Sequence, residues 1–246
     1  MVPLEGKRAL ITGGAKRMGR SISHALAAEG AHVAVHYRSS EDEAEALAGE
    51  LRQTGVEAWT AQADLGHPEE AARMLDGVRA RTGGLDILVN NASVFPEHRL
   101  HQVDWHAIEQ NILVNAYAPL ALARSFAAQD RPGAIVNLLD TMVADYDRKH
   151  VAYHLSKRML ATLTRIMAVE FAPRVRVNAV APGLVLPPEG KDVSYLEELA
   201  HTNLLQAYGA AEDVAQSVVF LCQGDFVTGQ TVFVDGGRHV LGKMYE

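Results

Sequence analysis

Short apolar runs alternate along this chain with longer segments of helical periodicity, and that alternation restricts the fold more than any other feature. The first run, 8–12, leads directly into a glycine-rich turn and then a helical segment. The fourth, LDILVNNAS at 85–93, contains a continuous apolar run, as is typical of a parallel strand covered on both faces. The pattern predicts an α/β fold: one domain, 1–246, with a Rossmann-like, doubly wound parallel sheet and helices on both faces.

Apolar periodicity and the glycines and prolines that end helices predict the bounds of these elements. Strands are expected at 8–12, 31–37, 57–63, 85–93, 133–139, 176–181 and 230–234. Helices are expected at 18–29, 41–54, 68–82, 105–129, 153–172 and 212–222. Residues 184–205 have no clear period, which predicts a mobile loop with one short helix that covers the substrate.

Charge and cysteine content exclude several classes of protein. The net charge of -7 argues against a nucleic-acid surface, which needs a basic face. The single cysteine, Cys222, cannot form an internal disulfide and is expected to be a buried core thiol. No run is long and apolar enough for a signal peptide or a membrane helix, so we expect a cytoplasmic protein without a membrane partner. The histidines show no metal-ligand spacing, so no metal is expected.

A glycine-rich turn, TGGAKRMG at 12–19, joins the first strand to the first helix. Glycines there let the backbone approach a pyrophosphate, and the helix N-terminus adds free N–H groups and the positive end of a dipole. The functional interpretation places Gly13, Lys16, Arg17 and Met18 at a dinucleotide. The alternative is that Gly13 and Gly14 only make a tight turn.

The end of the second strand indicates which dinucleotide would bind. An NAD enzyme usually places Asp or Glu there for the ribose hydroxyls. Here the segment 36–39 reads His36, Tyr37, Arg38 and Ser39, with no acid. Arg17 and Arg38 suit the 2′-phosphate of NADP, because a guanidinium binds phosphate through two bonds. The alternative is that both arginines are solvated surface charges.

Tyr153 and Lys157 lie four residues apart in a predicted helix and therefore share a face. A nearby ammonium would stabilise the phenolate and lower the pKa of the tyrosine, and the pair could then deliver a proton in a reduction. The alternative is a half-buried tyrosine beside a surface lysine.

Six motifs occur in an order that resembles the short-chain dehydrogenase/reductase family over essentially the whole chain. They are TGGAKRMG, Asp64-Leu65, NNAS at 90–93, Asn115, YHLSK at 153–157 and APG at 181–183. The resemblance implies a proton-relay water held by Asn115, an acid at Tyr153 and a ribose contact from Lys157. It also implies adenine contacts from Asp64 and Leu65, a cofactor channel lined by Asn91, Ala92 and Ser93, a nicotinamide border at Pro182 and Gly183, and a homotetramer.

Two departures from the general family pattern resemble the pteridine and dihydromonapterin reductases. Arg17 stands where glycine is usual, and Asp140 stands thirteen residues before Tyr153, where serine is usual. The segments HYRSS, NNASVF, NAYAPL and DRKHVAYHLSK are also similar to those enzymes. The implied reaction is reduction of a dihydropterin by NADPH. A carboxylate suits the N–H donors of a pterin, whereas a serine hydroxyl suits a ketone oxygen. Whether Asp140 accepts bonds, donates a proton or only caps a turn stays open.

Phe95, just after NNAS, lies at the carboxyl end of the fourth strand, where ligands bind in such sheets. The resemblance implies a pterin stacked on this ring, with its edge toward Ser93, Asp140 and Tyr153. The alternative is that Phe95 packs under the following loop. Two other functions stay open: a ketone or β-ketoacyl reductase of the same fold, and a catalytically idle NADPH-binding protein.

Overall fold

Seven parallel strands form one sheet in the computed structural model, which describes residues 1–241. The strands are β1 (Arg8–Ile11), β2 (His32–Tyr37), β3 (Ala58–Gln62), β4 (Ile87–Asn90), β5 (Gly133–Leu138), β6 (Val175–Pro182) and β7 (Thr231–Val234). Their order across the sheet is β3-β2-β1-β4-β5-β6-β7. This order confirms the predicted doubly wound fold, because β1 pairs with β2 on one side and β4 on the other.

Helices follow most of the strands and cover both faces of the sheet. They are α1 (Arg17–Ala28), α2 (Glu41–Gln53), α3 (Pro68–Thr82), α4 (Trp105–Ile112), α5 (Ala118–Ala127), α6 (Val151–Phe171), α7 (Ser194–Leu199), α8 (Ala211–Gln223) and α9 (Arg238–Leu241). None of these helices is long and apolar enough to cross a membrane.

Each central strand feeds two hydrophobic cores, one on each face. In β1, Leu10 packs into one core while Ile11 packs into the other. All four residues of β4 are buried, which explains why its sequence carries a continuous apolar run. Cys222 is buried in the core on the α1 and α8 side, as the sequence predicts.

The predicted helix 105–129 is wrong in one respect: it is interrupted by a π-helical turn, Leu113–Tyr117, between α4 and α5. A π turn inserts one residue into the helical ladder and often marks a functional position. It carries Asn115, which is fully buried. The periodicity of the sequence did not indicate this interruption.

Other differences lie at the carboxyl edge of the sheet. Helix α6 begins at Val151, two residues before the predicted start, so Tyr153 lies inside its first turn. A short 3₁₀ turn, Thr141–Val143, follows β5 directly, and α9 near the chain end was not predicted. Within 184–205, α7 is the expected short helix, and a 3₁₀ turn, Ala200–Thr202, follows it.

Candidate active site

A cleft of about 400 Å³ opens at the carboxyl ends of β1, β2 and β4, where the strand order reverses. Most of the residues expected to bind a dinucleotide line it together. These are Gly13, Lys16, Arg17, Met18, His36, Tyr37, Arg38, Ser39, Asp64, Leu65, Asn91, Ala92 and Ser93. The cleft therefore brings together predicted residues from four separate stretches of sequence.

The glycine-rich turn is fixed against the end of β4. The Thr12 hydroxyl accepts hydrogen bonds from the backbone N–H groups of Asn91 and Ala92 at 2.9 and 3.0 Å. The Asn91 amide donates to the carbonyl oxygens of Thr12 and Gly13 at 2.9 and 3.0 Å. A Cβ atom at Gly19 would overlap the Gly13 carbonyl oxygen, so a larger residue there would push the turn apart. This close approach supports the functional interpretation over a simple tight turn.

His36 lines the cleft but uses both ring nitrogens within the protein. Its Nδ1 accepts from the Gly13 backbone N–H at 2.9 Å, and its Nε2 lies 3.1 Å from the Ala63 carbonyl oxygen. Because Nδ1 accepts, Nε2 carries the proton. Burial lowers the pKa of His36 to about 4, which keeps the ring neutral at ordinary pH. His36 thus ties the glycine-rich turn to the end of β3 and has no ring nitrogen left for a ligand.

The end of β2 presents cationic and hydroxyl groups to the cleft. Arg38 and Ser39 line it, and within residues 1–241 Arg38 makes no ion pair. Lys16, by contrast, pairs with Glu43 of α2 at 2.5 Å. The Arg17 guanidinium donates to the carbonyl oxygen of Pro187 and so links the glycine-rich turn to the 184–205 loop. Of the two arginines expected at a 2′-phosphate, only Arg38 has a guanidinium without a partner among the residues that the structure describes.

Asp140 and Tyr153 meet at the end of β5. The Tyr153 hydroxyl donates to Asp140 Oδ2 at 2.9 Å, and Asp140 Oδ1 accepts from the Met142 backbone N–H at 2.8 Å. Asp140 therefore caps the 3₁₀ turn and also accepts a hydrogen bond from the tyrosine, so it does more than cap a turn. A carboxylate has about four lone-pair sites, so two acceptor positions stay open for a ligand.

Lys157 lies behind this pair. Its ammonium donates to the Leu138 carbonyl oxygen at 2.7 Å and lies 5.7 Å from the centre of the Tyr153 ring. Burial lowers the pKa of Lys157 to about 8, while the charge of Asp140 acts in the opposite direction. The lysine and the tyrosine are both buried, so the alternative of a surface lysine is wrong.

The expected lowering of the tyrosine pKa is also wrong for the protein without cofactor. Burial raises the pKa of Tyr153 well above its usual value, and the adjacent Asp140 carboxylate raises it further. The carboxylate touches the hydroxyl, whereas the ammonium is farther away and bonded elsewhere. Tyr153 is therefore a neutral phenol across the ordinary pH range.

Asn115 has no free hydrogen-bonding capacity in its side chain. Its oxygen accepts from Ser93 Oγ at 3.1 Å and from the Val94 N–H at 2.8 Å. Its amide donates to the Val94 carbonyl and to Ser156 Oγ, each at 3.0 Å. The side chain therefore joins the segment after β4 to α6, and a relay water at this residue would need its main-chain carbonyl.

The Pro182–Gly183 turn ends β6 and packs against the segment after β7. A Cβ atom at Gly183 would lie 2.5 Å from the Asp235 Cβ, which explains the glycine. Asp235 is buried and accepts from Thr141 Oγ1 at 2.5 Å and from the His239 backbone N–H at 2.8 Å. The hydrogen bond to Asp235 fixes Thr141, the residue next to Asp140. Nothing in the sequence signalled this bond, because Thr141 and Asp235 are 94 positions apart.

Phe95 lies beside the Asp140–Tyr153 pair with 48% of its surface exposed, so it is not packed under the following loop. Its ring stacks on His150 at a centroid distance of 4.0 Å and an angle of 17°. It meets Tyr153 at 4.5 Å and 82°. An aromatic wall thus stands next to the Tyr153 ring. His150 was not among the predicted site residues.

Comparison with known proteins agrees with this arrangement. A model of the family described as Enoyl-(Acyl carrier protein) reductase matches residues 13–239. The chain is 32% identical to the 3-oxoacyl-[acyl-carrier-protein] reductase FabG of Staphylococcus epidermidis, covering 95% of this chain and 99% of that protein.

Two solved structures are equally similar in sequence. FolM alternative dihydrofolate reductase 1 from Brucella canis, complexed with NADP, has a TM-score of 0.90 at 32% identity and covers 99% of this chain and 97% of its own. A blue fluorescent protein from a metagenomic library, in complex with NADPH, has a TM-score of 0.91 at 32% identity and covers 96% and 99%. The chain belongs to the short-chain dehydrogenase/reductase family.

Proposed function

We propose that this protein reduces a dihydropterin to its tetrahydro form with NADPH. The observation that carries the proposal is the hydrogen bond between the Tyr153 hydroxyl and Asp140 Oδ2 at 2.9 Å. Reduction of a C=N bond needs a hydride on carbon and a proton on nitrogen. The site offers a neutral phenol as proton donor and, beside it, a carboxylate that can accept N–H bonds from the heterocycle.

The cleft fits NADPH by its donor set and shape. The glycine-rich turn lines the cleft and is proposed to hold the pyrophosphate, and Arg38 and Ser39, which also line it, are proposed as donors to the 2′-phosphate. Asp64 and Leu65 are proposed at the adenine, Lys157 at the nicotinamide ribose, and Pro182 and Gly183 at the nicotinamide. Bound NADPH would supply the hydride. Relatives of known structure that hold NADP or NADPH support this choice.

Three groups of the chain are assigned roles in the reaction. Tyr153 donates the proton, Asp140 holds the tyrosine hydroxyl and accepts bonds from the substrate, and Lys157 places a positive charge behind them. Asn115 keeps Ser93 next to the site through its bond at 3.1 Å. Phe95 offers a partly exposed ring on which a flat heteroaromatic substrate can stack, an arrangement worth about 0.5–1.5 kcal/mol beyond the buried area.

The second candidate is reduction of a 3-oxoacyl thioester or another ketone. It is supported by the 32% identity to the Staphylococcus FabG reductase over nearly the full length of both chains. Against it stands Asp140, because a carboxylate repels the negative charge that grows on a ketone oxygen during reduction. The FolM relative supports the pterin assignment instead.

Replacement of Asp140 distinguishes the two candidates. We expect Asp140→Ser to lower kcat/KM for a dihydropterin and to raise it for a 3-oxoacyl thioester, because a hydroxyl can donate to a carbonyl oxygen. Asp145→Ser changes an exposed carboxylate in the same loop and should alter neither value. An Asp140→Ser enzyme that reduces dihydropterins as well as the unmodified protein would contradict the assigned role.

A further inference from the structure

The aromatic wall beside Tyr153 consists of two rings that come from different segments. Phe95 follows β4, whereas His150 immediately precedes α6. The two ring planes are nearly parallel, and His150 covers one face of the phenylalanine at 4.0 Å. An isolated half-exposed Phe95 could adopt several rotamers, so this partner restricts where the ring stands.

A carboxylate outside the proposed catalytic group fixes His150. Asp147 Oδ2 lies 2.6 Å from His150 Nδ1, while Asp147 Oδ1 accepts from the backbone N–H groups of Lys149 and His150 at 2.6 and 2.8 Å. Because a carboxylate only accepts, Nδ1 carries the proton. The His150 side chain is 12% exposed. Asp147 therefore binds both the backbone N–H and the Nδ1 of His150, which holds the imidazole in a single orientation.

Backbone bonds connect the two segments that carry these rings. The His98 N–H donates to the Lys149 carbonyl at 2.6 Å, and the Val151 N–H donates to the His98 carbonyl at 3.0 Å. The Asp147 N–H donates in turn to His154 Nε2 of α6 at 3.2 Å. The loop that holds Asp147 is thus anchored to the helix that carries Tyr153 and to the segment that carries Phe95.

We propose that Asp147 is a positioning residue for substrate binding: through His150 it holds the Phe95 ring in place as one wall of the substrate pocket, next to the Tyr153 ring. Asp147 does not line the cofactor cleft and makes no hydrogen bond to Asp140 or Tyr153; its charge is the smallest of the named causes that raise the pKa of Tyr153. Its loss should therefore act mainly on substrate affinity, and Asp147→Asn, which removes the charge but keeps the contacts, separates the two effects. The identity of the substrate in this inference rests on the proposed function, whereas the contacts among Asp147, His150 and Phe95 are independent of it.

The first test compares KM with kcat for a dihydropterin. We expect Asp147→Ala to raise KM by about 3- to 10-fold, the size of one lost aromatic contact, with a smaller change in kcat and an unchanged dissociation constant for NADPH. Asp147→Asn should restore most of the affinity, since its oxygen keeps the backbone bonds and its amide can donate to Nδ1 of the other tautomer. Within the part of the chain that the structure describes, the Asp145 carboxylate, in the same loop, accepts only from the Tyr146 N–H, so Asp145→Ala is the matched control.

Substitutions of His150 separate ring positioning from general destabilisation. His150→Ala should raise KM as Asp147→Ala does, and the double variant should be no worse than either, because both break one chain of contacts. His150→Phe keeps a stacking ring and should restore KM relative to His150→Ala. An unchanged KM in Asp147→Ala, or an equal loss of kcat and NADPH affinity, would overturn the inference. If Asp147→Ala does not fold, the two His150 variants decide.

A second readout needs no substrate. In the NADPH-bound protein labelled at histidine, the His150 ring protons, assigned through His150→Phe, should carry a ring-current shift from Phe95. That shift should disappear in Phe95→Ala and in Asp147→Ala and persist in Asp145→Ala. If it behaves so while dihydropterins are not reduced, the proposed function fails and KM is measured on the accepted carbonyl substrate. If dihydropterins are reduced and neither the shift nor KM responds to Asp147, the inference fails.

Discussion

Tyr153 is the proposed proton donor of this site, and its surroundings keep its hydroxyl protonated. Tyr153 is buried and bonded to Asp140, so its pKa lies well above the usual value. A neutral phenol is the form that a reduction requires. Burial and the Asp140 carboxylate together keep that form present at every ordinary pH. We propose that the remaining lone pairs of Asp140 accept hydrogen bonds from the substrate.

Removal of the Tyr153 hydroxyl tests this role directly. We expect Tyr153→Phe to lower turnover by about 100-fold or more, because the ring stays while the acid is lost. NADPH affinity should change little, since the hydroxyl bonds to Asp140. Steady-state kinetics and cofactor fluorescence measure the two quantities. Near-full turnover by this variant would show that Asp140 or water, and not Tyr153, donates the proton.

Lys157 predicts a pH dependence with a definite sign. Burial lowers its pKa to about 8, so the ammonium is present below that pH and lost above it. We expect NADPH affinity to fall as pH rises from about 7 to about 9.5, because the cation and a donor leave the site. Lys157→Met, neutral at every pH, should bind NADPH weakly and show no inflection. A flat affinity profile for the unmodified protein would contradict the assignment.

At the scale of elements, the end of β2 and the first turn of α2 determine the choice of cofactor. Arg38 and Ser39 line the cleft there. Lys16 also lines it, but its ammonium forms an ion pair with Glu43 of α2 at 2.5 Å. The glycine-rich turn completes the cradle, fixed by His36 on one side and Asn91 on the other. We therefore propose that Arg38 makes the main contact to the 2′-phosphate.

Arg38→Ala should weaken NADPH binding more than NADH binding. The loss of one charge-assisted phosphate contact costs about 1.5–3 kcal/mol of NADPH binding free energy. NADH has no 2′-phosphate and therefore does not make this contact. Titration of both cofactors into the variant measures the difference. Arg73→Ala removes an exposed arginine of α3 that bonds only within its helix, and it should leave both affinities unchanged. Equal losses for NADPH and NADH would disprove the assignment.

At the scale of the whole molecule, Cys222 reports on global opening. The thiol is buried between α8 and the sheet, and burial raises its pKa to about 12, so the reactive thiolate is scarce. We expect a thiol reagent to label the native protein slowly, only when the fold opens, and to label it rapidly and completely in denaturant. NADPH at about 100 times its dissociation constant should slow the labelling by about 100-fold, because it stabilises the native state by about 2.7 kcal/mol.

The sheet could be predicted from the sequence because its signals are local. The apolar run in β4, the glycine-rich turn after β1 and the proline after α6 each act within a few residues. The π turn at Asn115 could not, since a helix with one inserted residue keeps the same amphipathic composition. Most residues of the cleft could be predicted because they lie at the ends of strands, and parallel strands end at one edge of the sheet.

Contacts between distant segments set the limit of what the sequence could tell about the site. The direction of the Tyr153 pKa shift depends on whether Asp140 or Lys157 touches the hydroxyl, and the spacing of YHLSK does not contain that distance. The hydrogen bond between Thr141 and Asp235 and the stacking of Phe95 on His150 likewise join segments that share no sequence pattern. Such neighbours emerge only from the folded chain.

The most direct test of the central proposal is the rate of NADPH oxidation by the unmodified protein with a panel of substrates under one condition. The panel contains dihydrobiopterin, dihydromonapterin, dihydrofolate and a 3-oxoacyl thioester, and kcat/KM is measured for each. We predict that at least one dihydropterin is reduced with a kcat/KM far above that of the thioester. Ready reduction of the thioester with no reduction of any dihydropterin would contradict the account and establish the ketone reductase in its place.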